Sequence, residues 1–227
     1  MSTRIRILAT VCLTIIAAGC AASEGPDSAV AADGAAAPPP PAAPANGAGA
    51  ILTGAVPPAS AGFPSVVILE SGAPSDPAAP PLPEDPVVMD QIGLDFSPDV
   101  LVIRTGRIVR FHNSEDVLHN IHVIDSRSGE SVANVATPAP GSTYDLAFEK
   151  AGEYAIRCDV HPAMAAFVIV TPSPYSTIAA ADGAFSLHGL PPGSYTLVVW
   201  NFDEARRRRL PVEVTGPETR VDVSQSS

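Results

Sequence analysis

A cysteine, a histidine and a methionine stand within seven residues at Cys158-Asp159-Val160-His161-Pro162-Ala163-Met164. One short loop can point a soft thiolate, an imidazole and a thioether at a single ion. With a second histidine from elsewhere, they complete the trigonal His2Cys set with a weak axial Met that belongs to a copper electron-transfer centre. Thiolate sulfur favours Cu(I), imidazole serves both oxidation states, and a long thioether bond tunes the potential. Pro162 favours a loop here over a helix. The second histidine must come from a separate strand end. The run Val117-Leu118-His119-Asn120-Ile121-His122-Val123 offers two candidates about forty residues earlier.

Cysteine usage narrows the chemistry. Cys12 lies inside an apolar leader and Cys20 at its end, so Cys158 is the one thiol left for the folded part. A single thiol builds no internal disulfide and no dinuclear copper centre bridged by two thiolates. No phosphate-cradling glycine loop, His-Glu-x-x-His pattern or nucleophile elbow occurs. Cys158 and His161, three apart on a loop, suit metal ligation better than a Cys/His hydrolase. The expectation is a protein that is not an enzyme.

The elements that must hold such a loop read as β. Strands are expected over 51–56, 65–70, 87–90, 100–104, 107–111, 120–124, 144–148, 153–157 and 167–170, with Thr105-Gly106 and Ala151-Gly152 as turns. Residues 167–170 form a continuous apolar run suited to a buried strand. Proline-rich 72–86 is a loop. No helix of ordinary length is evident beyond the leader, so the fold class is all-β. Met89 reads as core, and His112 and His188 as exposed or structural.

Four pieces in order carry a resemblance to the cupredoxins, nearest the amicyanin, pseudoazurin and plastocyanin group. They are Phe96-Ser97-Pro98 with Gly106 and Val109-Arg110-Phe111-His112-Asn113; His119-Asn120; Gly152-Glu153-Tyr154-Ala155-Ile156-Arg157-Cys158; and Cys158-x2-His161-Pro162-x-Met164. The resemblance implies a Greek-key β-sandwich over 84–172 holding one type 1 copper through His119, Cys158, His161 and Met164. His161 would be the ligand nearest solvent. Asn120 would bond across to the ligand loop, where such contacts orient ligands, and Asn113 would pin the neighbouring loop. His122 is expected on the same strand face as His119, as a packing residue rather than the ligand.

The tail follows another pattern. Residues 181–187 and 190–199, with the turn dipeptides Asp182-Gly183 and Pro192-Gly193, resemble the second half of a carboxypeptidase-regulatory-like (transthyretin-like) β-sandwich. Residues 50–72 resemble its first strands and 173–225 the remainder, so the copper domain is expected to interrupt or abut a second small sandwich. Arg206-Arg207-Arg208-Arg209 reads as a solvated hairpin tip, with Trp200 and Phe202 packing beside it.

Residues 1–19 read as a secretion signal: Arg4 and Arg6, a short apolar run over 7–18, then small residues. Ala18-Gly19-Cys20 resembles the end of a bacterial lipobox, which implies lipidation of Cys20. Residues 20–49 are rich in Ala, Pro and Gly and are expected to be a disordered tether. The formal net charge is −11, and the leader holds two of the basic residues and no acid, which argues against nucleic acid as a partner. The expected protein is exported, periplasmic, anchored through Cys20 and monomeric, and carries single electrons between redox partner proteins. The alternative is a non-redox surface scaffold or copper-storage protein on the same fold.

Overall fold

The computed structural model describes residues 49–71 and 80–224. The expected signal, Cys20 and residues 20–48 of the expected tether lie outside the described residues. The chain runs β1 (Ala50–Ala55), β2 (Val66–Ser71), β3 (Val87–Ile92), β4 (Asp95–Ser97), β5 (Val100–Arg104), β6 (Ile108–Asn113), β7 (His119–Asp125) and β8 (Ser131–Thr137). It continues with β9 (Thr143–Ala147), β10 (Gly152–Arg157), β11 (Ala165–Thr171), β12 (Ser176–Ile178), β13 (Ala184–Leu190) and β14 (Gly193–Trp200). A 3-10 turn η1 (Glu204–Arg206) precedes β15 (Arg208–Val214) and β16 (Glu218–Asp222). No helix among the described residues is long and apolar enough to cross a membrane.

Four sheets form, with strand orders β5-β11-β10-β7-β8, β4-β3-β6-β9, β13-β1-β16 and β12-β2-β14-β15. The first two enclose one core, built from residues such as Met89, Phe96, Phe111, Ile121, Ile156 and Val168. The last two enclose another, with Leu52, Leu69, Phe185, Leu187, Leu197 and Val214. Both of these sheets combine strands that precede 84–171 with strands that follow it.

The alternation of side chains along a strand explains how the four sheets stack. In β11, Ala166, Val168 and Val170 enter the first core, whereas Phe167 and Ile169 face the other way. In β2, Val67 and Leu69 enter the second core, whereas Val66 and Ile68 face back. These outward residues meet with Val100 and Trp200 in a third apolar layer. A strand covered on both faces reads as an unbroken apolar run, and that is why Phe167-Val168-Ile169-Val170 and Val66-Val67-Ile68-Leu69 show no polar alternation. Phe167 sits edge-on to Phe63 at 5.0 Å and 5.3 Å from Trp200. Burying each such side chain contributes about 1.5–3 kcal/mol.

Polar contacts lock this layer at its edge. Glu153, in β10, accepts the Trp200 indole N–H at 2.8 Å and pairs with Arg207 at 3.0 Å, and Arg207 stacks over Trp200. The arginine run is therefore not a uniformly solvated tip. Arg206 pairs with Asp203, Arg207 with Glu153 and Arg209 with Glu70, and Arg208 donates to the Ala205 carbonyl. After β11 the chain is stitched back to β2, where the Ser173 hydroxyl donates to the Leu69 carbonyl at 2.6 Å.

Candidate metal centre

The donors are carried by neighbouring strands. β7 and β10 pair antiparallel with His122 opposite Arg157. His119 therefore stands at the start of β7 beside Cys158, the first residue after β10. The seven residues 158–164 close the gap to β11, and the Met164 N–H donates to the His161 carbonyl at 2.9 Å to make the turn. His119, Cys158 and Met164 are buried, and His161 is half-buried.

Three donor atoms converge. Cys158 Sγ lies 3.9 Å from His119 Nδ1 and 3.7 Å from His161 Nδ1, and the two Nδ1 atoms lie 3.1 Å apart. The centre of that triangle is about 2.1 Å from each corner, beside typical metal–imidazole lengths of about 2.0–2.1 Å and metal–thiolate lengths of about 2.3 Å. Among the described residues this is the one cluster of three His, Cys or acidic side chains placed to hold a metal ion. Met164, whose thioether would be a fourth and softer donor, is buried in the same core cluster as Cys158.

The tautomer of His119 follows from its other nitrogen. Nε2 faces the Glu115 carboxylate at 3.0 Å. A carboxylate only accepts, so Nε2 carries the proton and Nδ1 keeps its lone pair for a metal. Glu115 is itself held by the Leu94 N–H at 3.1 Å. That amide first, then the His119 ring and the Gly93 amide, keep its carboxyl below the usual range against the opposing effect of desolvation.

Asn113 and Asn120 brace the loops. Buried Asn113 donates to the Val117 and Thr137 carbonyls and accepts the Glu115 N–H at 2.8 Å, which fixes the turn carrying Glu115. Asn120 Oδ1 accepts the Asp159 N–H at 2.7 Å. Buried Gln91 donates to the Asn120 carbonyl and accepts from the Thr137 hydroxyl.

His122 requires a correction. It is three residues from His119, so it occupies the opposite face of β7 rather than the same one. Ile121 and Val123 point inward with His119, while His122 points out to Asp159 at 2.9 Å and Ser131 at 3.1 Å. His112 pairs with Asp90, and His188 contacts Ser186; neither joins the centre. Glu115 and Asp159 are the partners that the sequence reading missed. The available signal was a carboxylate four residues before a ligand histidine and another directly after the ligand cysteine.

Residues 84–171 match the family model described as copper binding proteins, plastocyanin/azurin family. The chain is 28% identical over 93 residues to amicyanin of Paracoccus denitrificans, covering 41% of this chain and 71% of that protein. It is 35% identical over 79 residues to chloroplastic plastocyanin of Chlamydomonas reinhardtii, covering 32% of this chain and 54% of that one. Among solved structures, a Cu-containing nitrite reductase from Thermus scotoductus SA-01 is 31% identical over 44% of this chain and 25% of its own, at a TM-score of 0.35. Residues 84–171 thus form a cupredoxin-like fold that matches the plastocyanin/azurin model of copper binding proteins, and the cofactor is copper. The residues present fit that ion: two neutral imidazoles, one thiolate and one thioether are the donor set that copper takes in such centres.

Proposed function

We propose that this protein is a type 1 copper electron carrier that passes single electrons between partner proteins and catalyses no reaction alone. The convergence of His119 Nδ1, Cys158 Sγ and His161 Nδ1 carries this reading. Bound copper supplies a one-electron couple. The chain holds the thiolate and the imidazoles in one geometry for both oxidation states, because His119 starts β7, Cys158 directly follows its partner strand β10, and the ligand loop is bonded to Asn120. Buried Met164 and the apolar core behind it keep water from the inner side. His161 is the half-buried ligand, which supports electron passage through its ring. Val117, Leu118 and Val160 are exposed in the ligand-bearing loops, as suits transient docking of a partner protein.

The remaining parts of the reading rest on the sequence. The leader and Cys20 support export to a periplasm and a lipid anchor, and 20–49 a tether. The domain division is a cupredoxin over 84–172, flanked by a carboxypeptidase-regulatory-like sandwich from 50–72 and 173–225, in a monomer. The test is visible absorption with EPR on the protein loaded with Cu(II). An intense blue or green band with narrow copper hyperfine splitting is expected. A colourless protein with ordinary Cu(II) EPR would overturn the carrier reading and leave a scaffold.

A further inference from the structure

Asp159 follows the ligand Cys158 directly, and the two side chains part company. The thiol points into the sandwich, whereas the carboxylate points out over the outer face of β7 and β8. There it meets three donors from two strands. Asn134 Nδ2 donates to Oδ2 at 2.8 Å, Asn120 Nδ2 to the same oxygen at 3.1 Å, and His122 Nδ1 to Oδ1 at 2.9 Å. The donors are tied to one another as well. Asn120 Nδ2 reaches Asn134 Oδ1 at 2.8 Å, and His122 Nε2 faces Ser131 Oγ at 3.1 Å. His122 and Asn134 are register partners across β7 and β8. The Asp159 main chain is held too, by its N–H on Asn120 Oδ1.

We infer that Asp159 is a positioning residue for Cys158: its carboxylate, gripped by His122, Asn134 and Asn120, clamps the outer side of the loop so that the thiolate keeps one direction toward the two imidazoles. This rests on the copper reading above. A carboxylate that only balanced charge at the surface would be met by lysine or arginine, but the partners are two amides and an imidazole anchored on the strands. Copper–thiolate overlap depends on the sulfur's direction, and functional side chains must be held within about 0.5 Å and 10–20°. Asp159 is half exposed, so solvent screens its charge. The hydrogen-bond grip is therefore the larger contribution.

The grip makes a prediction that charge alone does not. Asn at position 159 keeps one oxygen for Asn134 and Asn120. Its new N–H group can donate to His122 Nδ1 if that ring switches to the tautomer whose Nε2–H donates to Ser131 Oγ. Asp159→Asn thus keeps the clamp without the charge, whereas Asp159→Ala removes both. Two readouts are needed, one of them free of copper. In the metal-free protein, Asp159→Ala is expected to raise the rate of Cys158 modification by dithiobis(nitrobenzoate) about tenfold or more, because losing a charge-assisted network frees the loop to open. Asp159→Asn is expected to stay within about twofold of the parent. With Cu(II) bound, Asp159→Ala is expected to change the hyperfine splitting and the ratio of charge-transfer bands, and Asp159→Asn to restore both. Asn134→Ala is expected to fall between, and it carries the test if Asp159→Ala does not fold. If both substitutions at 159 act alike, or neither moves the thiol rate, the clamp is overturned even in a blue protein. If the thiol rates move as expected and the parent takes up no copper in a blue site, the clamp stands and the carrier reading falls.

Discussion

The two β-sandwiches share an architecture, and among the described residues one of them gathers a metal-binding cluster. Each stacks two sheets on an apolar core, and each turns residues of one sheet, from β5 and β11 or from β2 and β14, into the layer between them. The difference lies at the strand ends. In the sandwich of β1, β2 and β12 to β16, end polar groups are spent on the chain itself. Asn201 donates to the Pro58 carbonyl and the Ser65 hydroxyl, and Ser65 donates to the Pro57 carbonyl. In the copper-binding sandwich the end loops place three lone pairs within bonding distance of one point and spend their remaining polar groups on holding those donors. Layers supply rigidity; what the end loops do with their polar atoms decides whether there is a site.

The sharpest way to break that comparison is to remove the thiolate. Cys158→Ser replaces the soft donor with a hydroxyl of similar size, so the charge-transfer band is expected to vanish while the fold persists. Colour retained in this variant, read by absorption with circular dichroism as the folding control, would mean that the loop is no more a site than its counterpart in the other sandwich.

A second test asks whether the sandwiches are independent bodies. Phe167→Ala empties the shared layer next to Trp200 and Phe63 and is expected to cost about 3–5 kcal/mol. Denaturant unfolding followed by Trp200 fluorescence reports the layer side, and copper colour reports the site side. Coincident loss of both at a lower midpoint is expected, since Glu153 joins Trp200 and Arg207 to β10, the strand that leads into Cys158. Loss of fluorescence with colour unchanged would show that the site-bearing sandwich stands alone.

Legibility in the sequence followed the same division. Spacing alone singled out the donor loop, since the thiol, imidazole and thioether lie within seven residues. The run at 167–170 was legible as a buried strand and 65–70 as a strand, but not what would bury their second faces, because that partner comes from a distant part of the chain. Strand β8 was missed: Ser131-Val132-Ala133-Asn134-Val135-Ala136-Thr137 is small and mostly exposed, so its alternation carries little hydrophobic contrast. The choice between His119 and His122 rested on resemblance. Strand phase alone would have decided that the two face opposite ways. Glu115 left only its spacing from His119, which does not reveal the contact, because its role depends on a bend that Asn113 imposes through side chain–backbone bonds.

Smaller effects sharpen the contrast at the buried ligand. Glu115→Ala removes the acceptor that fixes the His119 tautomer, and loss of such a partner typically weakens metal binding about 10–100-fold. Copper affinity measured by competition with a chelator is expected to fall in that range, with the blue band retained. An unchanged affinity would assign the tautomer to the ring's apolar surroundings instead.

The smallest effect is the pH response of the same carboxylate. The Leu94 amide, then the His119 ring and the Gly93 amide, draw the Glu115 pKa below its ordinary value. A depressed carboxylate contributes stability that is fully present above its unfolded value, about 4.3, and is lost as pH falls through the lower, folded value. The Glu115 step in the Leu94 amide resonance of the metal-free protein is therefore expected below about 4.3. The amides of the paired core residues Leu52 and Leu187, in β1 and β13, serve as the reference. A Leu94 titration centred at or above the ordinary glutamate value would mean that the Glu115 bonds form no tighter in the native state than in the unfolded chain, and that His119 is held by packing alone.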